Sequence, residues 1–183
     1  MDWNTEATAW KGTVYRFASV DYASRDDLIT GQGAMNHAGR WNPKGQFPAV
    51  YTSLTPETAL AETRAHYDYY QFDFADATPT VLTSLHVMLS HVLDLSQGPI
   101  RTKLRISLKR MQQEDWRLLN RGSQISLTQA LGQKLFEVGF EAIVVPSFAH
   151  SGFQNLVIFP GNRRPRSVVA IENAHKLPAK REE

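Results

Sequence analysis

The chain has 183 residues, 42% of them hydrophobic, and a formal net charge of +2; this supports one sizeable core, and no Pro/Ser-rich linker divides it, so a single domain is expected. It contains no cysteine, which excludes a disulfide scaffold and a thiolate metal site. The opening Met1-Asp2-Trp3-Asn4-Thr5-Glu6 lacks the basic and apolar parts of a secretory leader, and no apolar run reaches the length of a membrane span, so a cytoplasmic protein without membrane contact is expected.

In chain order, the β-branched and aromatic residues 13–18 predict a first strand. Gly31-Gln32-Gly33 is followed by Ala34, Met35 and Asn36 and so misses the dinucleotide fingerprint. Gly39-Arg40-Trp41-Asn42-Pro43-Lys44-Gly45 reads as a loop, residues 49–53 as a strand, and Thr55-Pro56 as an N-cap and first turn opening a helix to about Tyr70. Residues 80–87 and 92–95 predict two further strands. A basic helix is expected over residues 99–112, with Ile100, Leu104, Leu108 and Met111 inward.

Ser126 with Gln129 forms a capping box for a helix that ends at Gly139, with Leu127, Ala130, Leu131, Leu135 and Val138 on one face. Strands follow at 141–145, 155–159 and 168–171, and the charged segment 173–183, with Pro178, reads as a frayed tail. Strands scattered between helices, without strict βαβ alternation, predict an α+β fold.

Three residue types on three kinds of backbone draw attention: Arg40 in the Gly-rich loop, Tyr51 in a strand and Glu62 in a helix. They offer an anion clamp, an aromatic platform and a carboxylate. Glu62 and His66 stand at i and i+4, so they can touch and couple their titrations, or be an ordinary pair on an exposed face. The six histidines lack metal-ligand spacing and no P-loop is present, so no metal is expected. Arg101, Lys103, Arg105, Lys109 and Arg110 crowd one segment and Arg163, Arg164 and Arg166 another. Neither run has base-reading groups beside it, so no direct contact with nucleic acid is expected.

Tyr15-Arg16-Phe17, Gly31-Gln32-Gly33-Ala34, Gly39-Arg40-Trp41-Asn42, Tyr51-Thr52-Ser53, Leu60-Ala61-Glu62, Val145-Pro146-Ser147 and Asn155-Leu156-Val157, in this order, resemble the RES domain. That family is found in the toxin half of bacterial RES–Xre toxin–antitoxin pairs. The match is poorest over residues 66–80 and 97–126, where nothing is carried over. The resemblance implies a RES domain over residues 1–172 with an ADP-ribosyltransferase-like fold, a twisted mixed or antiparallel β core flanked by helices.

It also implies NAD+ as a consumed substrate, with no bound cofactor and with inorganic phosphate as a conceivable co-substrate. Glu62 would then hold a ribose hydroxyl and face the charge that develops on the ribose, as in glycoside hydrolysis. Arg40, with Arg16 as a second clamp, would grip the pyrophosphate. Tyr51 would stack on nicotinamide and direct its hydroxyl at a ribose oxygen, with core packing as the alternative. Ser147 and Asn155 would bind phosphate or an attacking anion, and His66 would join the substrate-binding set.

Water, phosphate and a protein side chain are all open as acceptors, giving a glycohydrolase, a phosphorylase or a mono-ADP-ribosyltransferase, and NAD+ depletion is favoured. The implied partner is an Xre-type antitoxin with a helix-turn-helix region, in a complex where a homodimer of this chain is conceivable. An inactive binding or regulatory module is the remaining alternative; the presence of Arg40, Tyr51 and Glu62 together speaks against it.

Overall fold

The computed structural model describes residues 3–77 and 79–178. Its main elements are β1 (Thr8–Ser19), α1 (Arg25–Ile29), α2 (Gln32–His37), β2 (Val50–Ser53), α3 (Pro56–Tyr69), β3 (Thr80–Asp94), α4 (Gly98–Lys103), α5 (Leu108–Gln113), α6 (Trp116–Arg121), α7 (Leu127–Val138), β4 (Ala142–Pro146), β5 (Gln154–Ile158) and β6 (Val168–Ile171). Single-turn 3-10 helices fill several connections. The arrangement is α+β, as expected, with one mixed sheet in which only β3 and β4 run parallel.

The strand pairings form a closed cycle. β1 bonds β2, β2 bonds β5, β5 bonds β4, β4 bonds β3, and β3 returns to β1, while β6 adds to β3. The β1–β3 ladder is long, whereas β1 meets β2 only at Tyr15 and Ser53. Beyond that pair the two strands diverge, which opens a space between them. One buried cluster, including Trp41, Phe47, Leu131, Leu135, Phe140 and Phe159, packs α7 and the loop before β2 on one side of the sheet. A second, around Val14, Leu85, Val87, Val144 and Leu156, fills the other side.

Residues 80–87 and 92–95, expected as two strands, are one strand. The polar stretch between them stays extended because Glu141, fully buried, accepts the backbone N–H groups of Ser90 (2.8 Å) and His91 (3.0 Å) on Oε2, together with the Ser90 hydroxyl. Its other oxygen takes Arg164 N–H at 2.9 Å and the Ser167 hydroxyl. Burial works against the charge, but these donors hold the carboxyl below the ordinary range.

The helix expected over residues 99–112 is two short ones. Arg105 takes a left-handed φ of 55°, and Ser107 caps a fresh start by accepting Arg110 N–H at 3.1 Å. Met111 is buried and Ile100 and Leu104 pack on the core, but Leu108 is exposed. α1, α2 and α6 were not legible as helices; each is only five or six residues long.

The expected ends of α3 and α7 are found: Thr55 accepts Thr58 N–H at 3.2 Å, and Ser126 and Gln129 form the reciprocal box, with Gly139 at φ 96°. The inward face of α7 is turned from the expected one, since Ala130 is exposed while Gln129 and Gly132 are buried. Gln129 is inside because it serves the loop described below. Of the tail, residues 173–178 form a turn with the 3-10 helix Ala174–Lys176; the rest of the expected frayed segment, 179–183, lies outside the described residues.

A side chain at residue 132 would place its Cβ 1.9 Å from the carbonyl oxygen of Trp41. Gly132→Ala is therefore expected to destabilise the fold by about 1–3 kcal/mol, although alanine is the better helix former by about 1 kcal/mol. Urea unfolding of the two proteins measures this, and an unchanged or raised midpoint would show that α7 and the loop separate freely.

Candidate active site

The loop that carries Arg40 is held by buried polar groups. Gly39 N–H bonds Asn42 O at 3.0 Å, closing a tight turn, and Gln129 of α7 donates Nε2 to Gly39 O at 2.9 Å. Asn42, fully buried, donates Nδ2 to Ala34 O at 2.8 Å and accepts the Tyr51 hydroxyl at 2.8 Å. That hydroxyl in turn accepts Trp41 N–H at 2.8 Å. Burial pushes the Tyr51 phenol well above its ordinary range, so it stays neutral. A Cβ at residue 39 would lie 2.3 Å from the phenol oxygen, which accounts for glycine there.

This corrects one expectation. The Tyr51 hydroxyl is spent on the loop and buttresses Arg40, while its ring borders the cleft. The Arg40 guanidinium donates Nη1 to Met111 O at 3.0 Å and lies 4.8 Å over the Phe148 ring. Burial, and then the like charge of Arg117, lower its pKa; Glu62, Tyr51 and Asp115 partly oppose this.

Glu62 projects from α3 toward β4 and β5. One carboxylate oxygen, Oε1, accepts the Ser147 hydroxyl at 2.7 Å and Asn155 Nδ2 at 2.6 Å. Each donor is itself fixed, Ser147 by His150 N–H (2.9 Å) and Asn155 by the Ser53 hydroxyl (2.7 Å). Oε2 accepts no hydrogen bond among the described residues. Ser147 and Asn155, expected to bind an anion, are thus turned onto Glu62; Asn155 also borders the cleft, and Ser147 stands behind the carboxylate.

The contact that the i, i+4 spacing of Glu62 and His66 allows is not among their hydrogen bonds. Glu62 is drawn to β4 and β5, while His66 turns away, its Nδ1 3.3 Å from Arg117 Nη2 and its ring 5.2 Å from Tyr70. Burial and then the Arg117 charge lower the His66 pKa. Arg16 donates Nη1 to Leu28 O at 2.9 Å; burial lowers its pKa, and Asp27 partly restores it.

Arg16, Arg40, Tyr51, Glu62, His66 and Asn155 all border one cleft of about 650 Å³, in the space where β1 and β2 diverge. The sequence reading missed Trp116, Arg117 and Phe148, which also line it. The run Asp115-Trp116-Arg117, a helix cap followed by an aromatic and a guanidinium, was the available signal for two of them. A second hollow of about 320 Å³, beside Trp10, Lys11 and Arg166, contains none of the expected site residues.

Three arginines and one clamped carboxylate face the same space. The ion pairs found among the described residues are Lys103–Glu6 and Lys134–Glu137, so none of these arginines is in a salt bridge. A mixed-sheet α+β domain thus carries a cleft lined by three guanidinium groups and one doubly clamped carboxylate, the arrangement expected of a candidate active site.

The family model of the RES domain matches residues 13–181, and the chain belongs to that family. NAD(+) phosphorylase MbcT of Mycobacterium tuberculosis (strain ATCC 25618 / H37Rv) is 25% identical to it over 167 residues, covering 86% of this chain and 77% of that protein. The same enzyme of Mycobacterium bovis (strain ATCC BAA-935 / AF2122/97) matches equally. The crystal structure of the M. tuberculosis MbcT–MbcA toxin–antitoxin complex matches the fold with a TM-score of 0.70 at 19% identity, over 93% of this chain and 91% of that one.

Two measurements check this geometry. Tyr51→Phe strands the Trp41 N–H and one Asn42 oxygen, and is expected to cost about 1–3 kcal/mol in urea unfolding; a cost near zero would mean that the loop does not rest on this hydroxyl. His66, with its folded pKa below the unfolded value of about 6.5, binds its proton later in the folded chain than in the unfolded one. The unfolded state therefore carries more protons as pH falls below about 6.5, and stability declines with acid. The loss of stability between pH 7 and pH 5 should be smaller in His66→Asn than in the parent; equal losses would assign the acid sensitivity elsewhere.

Proposed function

We propose that this chain degrades NAD+ by breaking the bond between nicotinamide and ribose, passing the ADP-ribosyl group to inorganic phosphate, and that it is the toxin of a toxin–antitoxin pair. The observation that carries this reading is Glu62, with one oxygen locked by Ser147 and Asn155 and the other unengaged, beside guanidinium groups with no anionic partner. The family membership and the likeness to an NAD(+) phosphorylase support it.

The ribose C1′–nitrogen bond breaks with its electron pair leaving on nicotinamide, which becomes neutral, and positive charge develops on the ribose ring. Glu62 uses its unengaged oxygen to hold a ribose hydroxyl, so the carboxylate faces that charge. Because its orientation is fixed before substrate arrives, it stabilises the transition state without reorganising. Arg40 and Arg16 grip the diphosphate, and Phe148 and the Tyr51 ring offer flat apolar surface to the nicotinamide end. A phosphate oxygen then forms the new bond to C1′, drawn in by the same excess of positive charge.

Such an activity would deplete the cell of NAD+ unless restrained. The implied restraint is an Xre-type antitoxin whose tail fills the cleft and whose helix-turn-helix supplies any contact with DNA. An inactive binding module is disfavoured by the joint presence of Arg40, Tyr51 and Glu62 at one cleft.

NAD+ loss by the purified chain, freed of antitoxin, is the test, with and without inorganic phosphate and beside Glu62→Gln. Phosphate-dependent loss is expected, with Glu62→Gln slower by about 100- to 1000-fold. Equal loss without phosphate would make the reaction hydrolysis, and label passing from NAD+ to a protein would make it ADP-ribosyl transfer. Intact NAD+ in both conditions sinks the proposal. Ser147→Ala and Asn155→Ala should each lower kcat about tenfold or more with KM little changed, and cost nothing further in the Glu62→Gln background, because both act through that carboxylate.

A further inference from the structure

Trp116 and Arg117 of α6 form part of the wall of the cleft. This helix is fixed in place. Asp115 caps it by accepting Arg117 and Leu118 N–H, both at 3.0 Å, and the Tyr69 hydroxyl donates to the same carboxylate at 2.8 Å, tying α6 to α3.

The Arg117 guanidinium lies against aromatic faces, 4.5 Å from the Trp116 ring, 4.6 Å from Tyr69 and 5.8 Å from Tyr70. Its Nη2 has only the 3.3 Å contact with His66 Nδ1. Its Nε is shielded from water and has no hydrogen-bond partner. Asp115 is the carboxylate that interacts with it, and both oxygens of Asp115 are committed to the helix cap and to Tyr69. Arg40, also in no salt bridge among the described residues, lies close enough to repel it, since its Nη1 bonds Met111 O in the segment that leads into α6.

The Arg117 guanidinium is in no salt bridge among the described residues and has that of Arg40 nearby, so an anion between the two would meet donors from both. The ring stack holds the planar fork in one orientation, which suits bidentate binding of phosphate oxygens. Two neighbouring guanidiniums fit two linked phosphates better than one.

We propose that Arg117 joins Arg40 and Arg16 in binding the diphosphate of the dinucleotide substrate, and that this additional guanidinium, beside Arg40, makes the site prefer a diphosphate to a monophosphate. The inference rests on the NAD+ reading above and names the residue that recognises the middle of that substrate.

Calorimetric titration with ADP and with AMP, on the full chain and on Arg117→Gln and Arg117→Lys, tests it. Arg117→Gln is expected to weaken ADP by roughly ten- to a hundredfold, to change AMP far less, and to leave the melting temperature of the free protein unchanged or raised. Arg117→Lys should recover part of the loss, since it restores charge but not the fork. Unaltered ADP affinity in Arg117→Gln overturns the inference alone. So does an equal loss for ADP and AMP, or a fall in melting temperature that accompanies the loss, because each marks a role in shape rather than in diphosphate recognition. Failure of the parent protein to bind ADP would remove the NAD+ reading and this inference with it.

Discussion

Gln129 is the residue on which the position of Arg40 depends. A loop that passes beneath a helix must satisfy its backbone polar groups without water, and this one does so through a side chain that also caps the helix. Gln129 Oε1 accepts Ser126 N–H at 3.1 Å, while Nε2 reaches Gly39 O at 2.9 Å. The capping box and the loop anchor are thus one group, so α7 cannot form its first turn correctly without orienting the loop. Gly132, one turn on, lets the backbone at Trp41 approach closely, and Asn42 and Tyr51 complete the contact from the sheet side.

The carboxylate follows a different logic. The backbone around Arg40 is held by α7 and its guanidinium by Met111 O and the Phe148 ring, whereas Glu62 is held from the sheet, by Ser147 after β4 and Asn155 of β5. The register of β2 against β5 pairs Ser53 with Asn155, which brings the Ser53 hydroxyl to Asn155 and Asn155 to Glu62. A slip of one residue would turn Asn155 to the opposite face of the sheet and release the carboxylate. The pairing of Val50 through Ser53 with buried Leu156 and Ile158 fixes that register, so core packing and site geometry are the same constraint.

Much of this was legible in the sequence because it is local. The caps at Thr55 and Ser126, the stop at Gly139 and the α+β class follow from turn chemistry and periodicity. What periodicity could not show was non-local. The unbroken β3 depends on Glu141, fifty residues away, quenching the polar groups of Ser90 and His91. The break at Arg105 reflects a left-handed turn that its residue type does not announce. Gln129 was legible as the partner in the capping box, but its second bond, to Gly39 O, was not, because that partner lies in another element. At the site, Arg16, Arg40, Tyr51, Glu62, His66 and Asn155 were gathered as expected, but the tasks of Tyr51, Ser147 and His66 are set by tertiary contacts. Arg117 escaped notice because α6 is too short to leave a periodic signal.

The clamp on Glu62 also bears on when the protein becomes competent during its own synthesis. Ser147 and Asn155 follow Glu62 by 85 and 93 positions, and at translation rates of about 5–20 residues per second their arrival trails it by roughly 5–20 s. A nascent chain that already carries Arg40, Tyr51 and Glu62 lacks both donors and the β5 strand that aligns them. Fragments ending before residue 147 lack the same two donors. On the proposed role of Glu62, the site is therefore completed only once β5 has been made, and truncation ahead of Ser147 leaves a product without the clamp.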